Sequence, residues 1–414
     1  MKIILTHPTG NRNVRAVLDG LLRNDFLAEF ETTLAIDPAS AWLKVLPKVM
    51  QKELLRRSYD VSKDKIWSHE GLEIARMVLP KLKLKRYTNH ENAFASTYSV
   101  YKDFDKAASK RLAKYAGQSK LNAVYAYEDG ALEQFKRAKQ LGLACIYDLP
   151  IAYWETGRKL MTEEADRLPQ WAKTLGGGIL DSEKKLERKT QEMELADVVV
   201  GPGSFVMDSV PAWAKTKKMI VSPFGSPSTT NTPVINHKKT DKPLRVLFAG
   251  SMGQRKGLGD LFAALNLVNS KNIELVVMGS MLETPEFYRS EFAGFTYEPG
   301  RSHAAVLELM RSCDVFCLPS IVEGRALVMQ EAMSQGLPLI ITANTGGADL
   351  IIEGETGFLV PIRSPQAIAE KLNWFLSNRD KVAAMGEQAR LHAANYSWEK
   401  YGSTIINELK EFIL

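Results

Sequence analysis

The sequence has few cysteines and no long apolar run. Its three cysteines, Cys145, Cys313 and Cys317, lie in apolar stretches and lack the paired spacing of a zinc site or a disulfide framework. We interpret them as buried thiols. No segment stays apolar for the ~18 residues that a membrane-spanning helix needs. The N-terminus is apolar over too short a distance for a secretory signal, so we expect a cytoplasmic protein that is not integral to a membrane.

Internal repeats and low-complexity tracts are absent too, and the net charge is modest at +6 over 414 residues. This length predicts two domains of about two hundred residues each, with a cleft between them. Positive charge concentrates in the N-terminal half, at 81–86 and again from Lys102 onwards. We interpret these runs as a solvated surface. Peripheral contact of this basic N-terminal surface with the inner face of a membrane is the alternative, disfavoured because neither run carries the Trp and Phe that anchor an interfacial helix.

Short apolar runs bounded by Gly, Pro and Asp alternate with segments of helical periodicity through most of the chain. This alternation predicts βα units and parallel sheets. The pattern breaks in a stretch of prolines, serines and polar residues at 223–243 and then restarts, which indicates a linker. We therefore predict an α/β protein with two doubly wound, Rossmann-like domains, residues 1–222 and 244–394, facing each other across a cleft. The last segment, 395–414, has helical periodicity.

The clearest predicted strands are all short. In the first domain they fall at 2–6, 123–127, 144–148, 198–201 and 219–222. In the second domain they fall at 244–250, 273–278, 314–319, 338–342 and 357–360. Helices are predicted between them, most clearly at 131–141, 182–195 and 258–268.

A glycine-rich turn follows the first strand of the second domain. It begins at Gly250 and Ser251, includes Arg255 and Lys256, and leads directly into the helix predicted at 258–268. Backbone amides at a helix N-terminus, joined by two cations, suit a phosphate. Many such turns only reverse the chain, and this one lacks the Gly-Lys-Ser/Thr ending of a Walker loop. Taken alone, the turn leaves phosphate binding and a structural role about equally open.

Two glutamates form the second constellation. Glu323 follows a predicted strand, and Glu331 lies about two helical turns further along the chain. The turn between them comprises Gly324, Arg325, Ala326 and Leu327. Its amides form another positive helix end suited to a pyrophosphate, while Glu331 is placed to accept hydrogen bonds from a ribose. Ordinary surface placement is the alternative, but an unpartnered carboxylate in the apolar context that follows Glu331 would be costly.

Together these motifs resemble the nucleotide-binding domain of retaining glycosyltransferase family four, the group 1 glycosyltransferases, which have the GT-B fold. The resemblance covers about 244–398. It rests on Ala249-Gly250, Arg255-Lys256-Gly257, the glutamate pair, the Gly346-Gly347 loop and Thr356-Gly357-Phe358. It implies a hexosyltransferase that moves a sugar from a nucleotide-diphosphate sugar to a glycan or lipid-linked acceptor, with retention of anomeric configuration. It also implies a C-terminal helix that crosses back to the N-terminal domain.

The resemblance assigns roles to individual residues. It implies that Lys256, with Arg255, binds the donor diphosphate, that Glu323 contacts the transferred sugar and that Glu331 contacts the ribose; the first three are the predicted catalytic residues. A common family pattern has Arg where this chain has Ser251. The predicted donor site comprises Gly250, Ser251, Arg255, Lys256, Gly279, Glu323, Gly324, Arg325, Ala326, Leu327 and Glu331.

No metal or cofactor is expected, because the basic pair and the helix ends supply the positive charge and no Asp-x-Asp stands at the end of a predicted strand. The donor is expected to be a UDP- or GDP-linked sugar, and nucleic acid is not an expected partner. The predicted acceptor side comprises His7, Gly10, Asn11, Glu128 and Asp148. Many relatives carry a His after the strand that ends at Asp148, where this chain has none.

Two alternatives to a transferase remain open. The first is a nucleotide-sugar-binding protein without turnover, which the missing His and Ser251 keep open. The second is a sugar-nucleotide epimerase on the same fold, against which the glutamate pair argues. Polysaccharide biosynthesis is the role expected for this resemblance, and closure of the two domains about the linker and the final helix is the expected motion.

Overall fold

The computed structural model describes residues 1–115, 121–227 and 242–413. Seven strands belong to the first half: β1 Ile3–Thr6, β2 Leu27–Thr32, β3 Ile66–Ser68, β4 Ala123–Tyr127, β5 Ala144–Asp148, β6 Val198–Gly201 and β7 Lys218–Val221. Six belong to the second: β8 Leu244–Ala249, β9 Ile273–Met278, β10 Phe295–Glu298, β11 Val315–Leu318, β12 Leu339–Ile341 and β13 Gly357–Leu359.

Helices cover both faces of the sheets that these strands form. They are α1 Arg12–Arg23, α2 Lys48–Leu55, α3 Gly71–Val78, α4 Thr97–Arg111, α5 Leu132–Gln140, α6 Trp154–Arg167, α7 Glu183–Leu195, α8 Ser204–Asp208, α9 Leu258–Val268, α10 Pro285–Glu291, α11 His303–Arg311, α12 Leu327–Ser334, α13 Pro365–Ser377, α14 Val382–Ala393 and α15 Trp398–Ile413. Among the described residues, no helix is long and apolar enough to cross a bilayer.

The strands form two parallel sheets, which confirms the predicted fold class. The first sheet has the order β3-β2-β1-β4-β5-β6-β7, and the second has the order β10-β9-β8-β11-β12-β13. Central strands such as β1 and β6 are buried along their whole length, as strands covered by helices on both faces must be. The three cysteines are buried, and burial raises the pKa of Cys145 to about 12 and that of Cys313 to about 11, which confirms inert thiols.

Three strands carry no clear sequence signal: β2, β3 and β10. In β2 the apolar pattern is interrupted by Glu29 and Glu31, which are nevertheless buried. Burial of Glu29 is compensated because Arg111 Nη2 and Lys114 Nζ each lie 2.6 Å from its carboxylate. β3 and β10 have only three and four residues. A strand interrupted by charges, such as β2, cannot be predicted from hydrophobic periodicity. The same holds for very short strands at a sheet edge, such as β3 and β10.

The final helix, α15, packs against α1 of the first domain. Ile405, Ile406 and Leu409 join the core beneath that sheet, and Ser222 Oγ donates to the carbonyl of Tyr401 at 3.0 Å. A Cβ at Gly402 would lie 2.3 Å from the carbonyl oxygen of Ala16, so only glycine permits this close approach. Of the predicted linker, residues 228–241 lie outside the described residues.

The two domains also meet through α6 and the turn that follows it. Trp171 belongs to the first half of the chain, yet it is buried in the core of the second domain against Phe262 and Phe287. Close by, the buried carboxylate of Glu164 accepts hydrogen bonds from Gln254 Nε2 and Arg363 Nε, both at 2.8 Å. This contact joins the two domains outside the linker and the final helix.

Candidate functional site

A cleft of about 960 Å³ lies between the domains at the carboxyl ends of both sheets. Its walls include these predicted residues: Gly10, Asn11, Gly250, Lys256, Gly279, Glu323, Arg325, Ala326, Leu327 and Glu331. Among the described residues, six that were predicted to belong to the site do not line the cleft: Ser251, Arg255, Gly324, His7, Glu128 and Asp148. The structure therefore brings together most of the donor-site prediction and only part of the acceptor-side prediction.

The three predicted catalytic residues form one cluster. Lys256 Nζ lies 2.6 Å and Arg255 Nη1 lies 2.8 Å from the same oxygen, Glu323 Oε1. Arg255 Nη1 also donates to the carbonyl of Val322 at 3.0 Å. Both cations follow β8, and Glu323 follows β11, the adjacent strand. Two positive charges thus face one carboxylate in a half-buried position, which leaves net positive charge for an anionic ligand.

Two glycines open the floor of this side of the cleft. Gly250 ends β8 with φ +149°, and Gly279 ends β9 with φ +148°. A Cβ at Gly279 would lie 1.8 Å from the carbonyl oxygen of Gly250, so a side chain there would force the strand ends apart. The aliphatic stem of Lys256 lies over Gly250 in the space that a side chain would fill. These glycines therefore set the course of the Lys256 side chain into the cleft.

The N-terminus of α12 opens into the cleft. Its N-cap residue is Ala326, which offers no side-chain oxygen to the first amides of the helix. Leu327 and Val328 begin the helix at the cleft wall. The neighbouring Arg325 is not available to a ligand, because its guanidinium donates to Asp349 at 2.6 and 3.0 Å and to Gln330 Oε1 at 2.9 Å. Arg325 thus supports a helix end whose free amides suit an anion.

Glu331 lies one turn into α12, with its side chain 17% exposed. Its Oε1 is hydrogen-bonded to Nε2 of His303, at 3.0 Å, from the start of α11. Gly324 lies at the domain contact instead: a Cβ there would lie 1.7 Å from the carbonyl oxygen of Pro150. Glycine at this position therefore lets the two domains touch directly behind Glu323.

His7 is fully buried and does not line the cleft, so the expectation that it faces the cleft is wrong. Its Nδ1 accepts hydrogen bonds from the backbone amides of Thr9, at 3.0 Å, and Gly10, at 2.9 Å. Burial lowers its pKa to about 3, so the ring is neutral at physiological pH. His7 shapes the β1–α1 loop, which presents Gly10 and Asn11 to the cleft.

Asp148 and Glu128 are also buried beneath the cleft. Asn13 Nδ2, on the cleft wall, lies 3.5 Å from Asp148 Oδ2. Burial, with the charge of Glu128, raises the pKa of Asp148 to about 7. Glu128 is paired with Lys189 Nζ at 2.8 Å and lines a separate cavity of about 230 Å³, which Arg255 also lines. Both carboxylates can act on a ligand in the main cleft only through intermediate groups.

Several residues of the N-terminal wall were not predicted from the sequence, among them Arg12, Arg56 and Arg57. Arg12 is the first residue of α1, directly after Gly10 and Asn11, so its place could have been found by extending that loop prediction. Trp398, the first residue of α15, also lines the cleft, 5.7 Å from the Arg12 guanidinium. Arg56 and Arg57 come from the long excursion between β2 and β3, which has no motif to identify them.

The comparisons agree with this architecture. Sucrose-phosphate synthase from Thermosynechococcus elongatus superposes with a TM-score of 0.63 and 17% identity, covering 100% of this chain and 99% of that one. HepE from Anabaena, in complex with UDP-glucose, superposes with a TM-score of 0.57 and 14% identity, covering 99% of this chain and 100% of that one. Two parallel-sheet domains that face each other across a cleft place this chain in the GT-B class of folds.

Residues 232–392 match the family model described as glycosyl transferases group 1. The D-inositol 3-phosphate glycosyltransferase of Corynebacterium urealyticum is 37% identical over 101 residues, 24% of this chain and 24% of that protein. CapM of Staphylococcus aureus, a capsular polysaccharide biosynthesis glycosyltransferase, is 28% identical over 211 residues, 47% of this chain and 54% of that protein. The matches thus span about a quarter to a half of the relatives' length. The second domain is thus similar to the group 1 glycosyl transferases, which confirms the resemblance found in the motifs.

Proposed function

We propose that this protein is a retaining glycosyltransferase that transfers a hexose from a UDP- or GDP-linked sugar to a glycan or lipid-linked acceptor, without a metal ion. The observation that carries the proposal is the cluster of Arg255, Lys256 and Glu323 opposite the uncapped N-terminus of α12. Lys256 and a helix end that face the same cavity, with Arg255 beside them on Glu323, are a suitable environment for a diphosphate. The relative CapM is named as a capsular polysaccharide biosynthesis glycosyltransferase, which favours a role in polysaccharide biosynthesis.

In the proposed reaction, the donor diphosphate takes Lys256 and Arg255 away from Glu323. The released carboxylate then accepts hydrogen bonds from hydroxyls of the transferred sugar. The bond between the anomeric carbon and the diphosphate oxygen breaks, and its electron pair leaves with the diphosphate. The acceptor oxygen bonds to the anomeric carbon on the same face, and its proton passes to a phosphate oxygen. The two cations stabilise the departing charge, the step where electrostatic groups contribute most.

The acceptor side of the cleft carries cations as well, but they differ in availability. Arg15 Nη1 and Nη2 donate to backbone carbonyls of Ser58 and Arg56, each at 2.7 Å, and Arg57 Nη2 donates to Glu73 at 2.7 Å. Arg12, in contrast, makes no ion pair among the described residues. Its positive charge lies at the start of α1, where the helix dipole is also positive. A bound anion would reduce the repulsion between the two. We therefore propose that the acceptor carries a phosphate or carboxylate near Arg12.

A thermal-unfolding screen against UDP, GDP, ADP and CMP tests the donor site first, because a ligand that binds only the folded state raises its stability. We expect a rise with one nucleoside diphosphate that is lost in Lys256→Ala. The matching sugar nucleotide and a phosphorylated acceptor then test turnover. Donor binding with neither transfer nor hydrolysis would favour a binding protein, and inversion of a sugar hydroxyl without an acceptor would favour an epimerase. No rise with any nucleotide would contradict the proposal.

A further inference from the structure

The segment between residues 41 and 56 exposes apolar and basic side chains side by side. Trp42, Val45 and Val49 are 49%, 82% and 82% exposed, and no residue of α2 is buried. Trp42 and Val45 lie three residues apart in a short 3-10 helix, and Val49 follows in α2 beyond the non-helical Leu46 and Pro47. A basic series accompanies them at a spacing of four: Lys44, Lys48, Lys52 and Arg56. Glu53 is the one carboxylate in this stretch of sequence.

A second segment, 74–94, has the same character. Ile74, Val78 and Leu82 are 48%, 43% and 61% exposed at intervals of four. They share one side of α3, because the backbone amide of Leu82 still bonds to the carbonyl of Val78 and so extends the helical pattern. Residues 81–87, Lys-Leu-Lys-Leu-Lys-Arg-Tyr, are all exposed. Phe94, 63% exposed, is held beside Tyr87 by the hydrogen bond between the Ala95 amide and the Tyr87 carbonyl.

The two segments adjoin in the folded protein. Met77 of α3 packs against the small core formed by Leu43 and its neighbours. Arg57 Nη2, at the end of the first segment, donates to Glu73 Oε1 at 2.7 Å. We call residues 41–56 and 74–94 together the basic apolar face. It borders the cleft, since Glu53, Arg56 and Arg57 line the acceptor side.

The charge of this face is strongly one-sided. Between residues 74 and 94 the sequence has five lysines and arginines and one carboxylate, Glu91. Within the described part of the chain, none of these lysines takes part in an ion pair: Lys44, Lys48, Lys52, Lys81, Lys83 and Lys85. A second copy of this chain would therefore bring like charges together, which disfavours self-association through this face. An anionic surface with an apolar interior matches both features.

We propose that the basic apolar face docks the protein on an anionic lipid bilayer, with the acceptor side of the cleft at the membrane surface. The lysines would lie among anionic headgroups, while Trp42, Val49 and Leu82 enter the boundary of the acyl chains. The sequence argued against membrane contact because the two basic runs lack Trp and Phe. The structure changes that conclusion, because flanking residues supply Trp42 and Phe94. The docking does not depend on the proposed transferase activity.

Vesicle sedimentation with the full chain tests the proposal, using phosphatidylcholine vesicles with and without phosphatidylglycerol at low and high salt. We expect binding that needs the anionic lipid and weakens with salt. Each lysine near such a surface contributes on the order of fivefold in binding, so Lys83→Glu/Lys85→Glu should lower the partition coefficient at least about tenfold. Val49→Ser/Leu82→Ser should lower it by a similar factor through lost apolar burial.

Matched controls exist on other surfaces. Leu267→Ser/Leu391→Ser removes two leucines that are 57% and 49% exposed on the second domain. Lys271→Glu/Lys410→Glu makes the same change of net charge at exposed positions. Both controls should bind vesicles like the unchanged protein. No binding to anionic vesicles, equal binding to neutral ones, or an equal loss in the controls would overturn the proposal. A concentration-dependent dimer lost in Val49→Ser/Leu82→Ser, without vesicle binding, would assign the face to a second copy instead.

Discussion

The two walls of the cleft are built in different ways. The wall of the second domain consists of strand ends and a helix N-terminus, with Lys256 and Arg255 balanced against Glu323. The wall of the first domain carries more arginines, but Arg15 and Arg57 are used to hold the excursion between β2 and β3 in place. Apart from Arg12, the arginines of the first wall thus mainly maintain its own structure, whereas Lys256 of the second wall faces the cleft.

This difference shows where specificity and chemistry reside. Under the proposed function, a wall made of backbone amides, glycines and a cation pair would bind the feature that nucleoside-diphosphate sugars share, the diphosphate. A wall shaped by a long excursion can change with that excursion while the sheet beneath it stays the same. Variants on the two walls should therefore separate into two groups, one that alters donor binding and one that does not.

Lys256→Ala should give the largest effect. Its side chain is 12% exposed, so its loss removes a largely buried cation from beside the expected leaving group. We expect kcat/KM to fall about 10²–10³-fold, or roughly 3–4 kcal/mol of transition-state stabilisation, with weaker nucleoside diphosphate binding. Initial rates and titration calorimetry would measure both quantities.

Two variants serve as comparisons for Lys256→Ala. Lys371→Ala removes a partly exposed lysine that does not line the cleft and is paired with Glu353, and it should leave both quantities unchanged. Arg12→Ala, on the opposite wall, should raise the acceptor KM while leaving donor affinity within about twofold. If Arg12→Ala weakened donor binding as much as Lys256→Ala, the division between the walls would be wrong.

Gly324→Ala tests the contact that joins the walls. The added Cβ would lie 1.7 Å from the Pro150 carbonyl oxygen, a backbone atom that can move only with its loop. We expect a loss of roughly 2 kcal/mol or more in unfolding free energy, or displacement of the two domains. Thermal unfolding and small-angle scattering would detect these effects. Gly71→Ala is the control, because its Cβ would meet nothing within 4 Å; an equal effect there would rule out a domain-contact explanation.

Asp148→Asn tests the buried layer beneath the first wall. Because the folded pKa is raised to about 7, the folded state holds the proton more tightly than the unfolded chain. The resulting stabilisation is fully present below about pH 4 and is lost as pH rises through about 7. Asp148→Asn removes this titration, so at pH 8 it should be more stable than the unchanged protein by about 1–2 kcal/mol, and at pH 4 it should not. Urea unfolding at both values measures the difference.

The exposed Asp166 gives a control for that experiment, since Asp166→Asn makes the same substitution at the surface and should change the free energy of unfolding little. A gain for Asp148→Asn that is equal at both pH values would contradict a titrating Asp148. Donor affinity should stay unchanged in this variant, which again separates the first wall from the second.

The same contrast explains how far the sequence could predict the site. Donor-side residues stand in local motifs at strand ends, so the order of strands was enough to bring Gly250, Lys256 and Glu323 together. The sequence could not show that Arg325 is committed to Asp349, because that pair is a tertiary contact. Nor could it show that His7 is buried, since burial of the β1–α1 loop depends on neighbouring strands. The two segments of the basic apolar face lie on either side of β3, and their exposure became visible only in the fold.

Glu331→Ala should have a smaller effect on the donor wall than Lys256→Ala. We expect about tenfold weaker binding of the nucleoside diphosphate, since one or two hydrogen bonds to the ribose are lost. His303→Ala should change affinity by less than about threefold, because His303 is half exposed and its bond to Glu331 is replaced by water. The 2′-deoxy nucleotide sharpens this test. If Glu331 forms hydrogen bonds with the ribose diol, the unchanged protein should bind the ribonucleotide more tightly than the 2′-deoxy nucleotide. Glu331→Ala should show no such preference. A preference that survives in Glu331→Ala would mean that another group on this wall contacts the ribose.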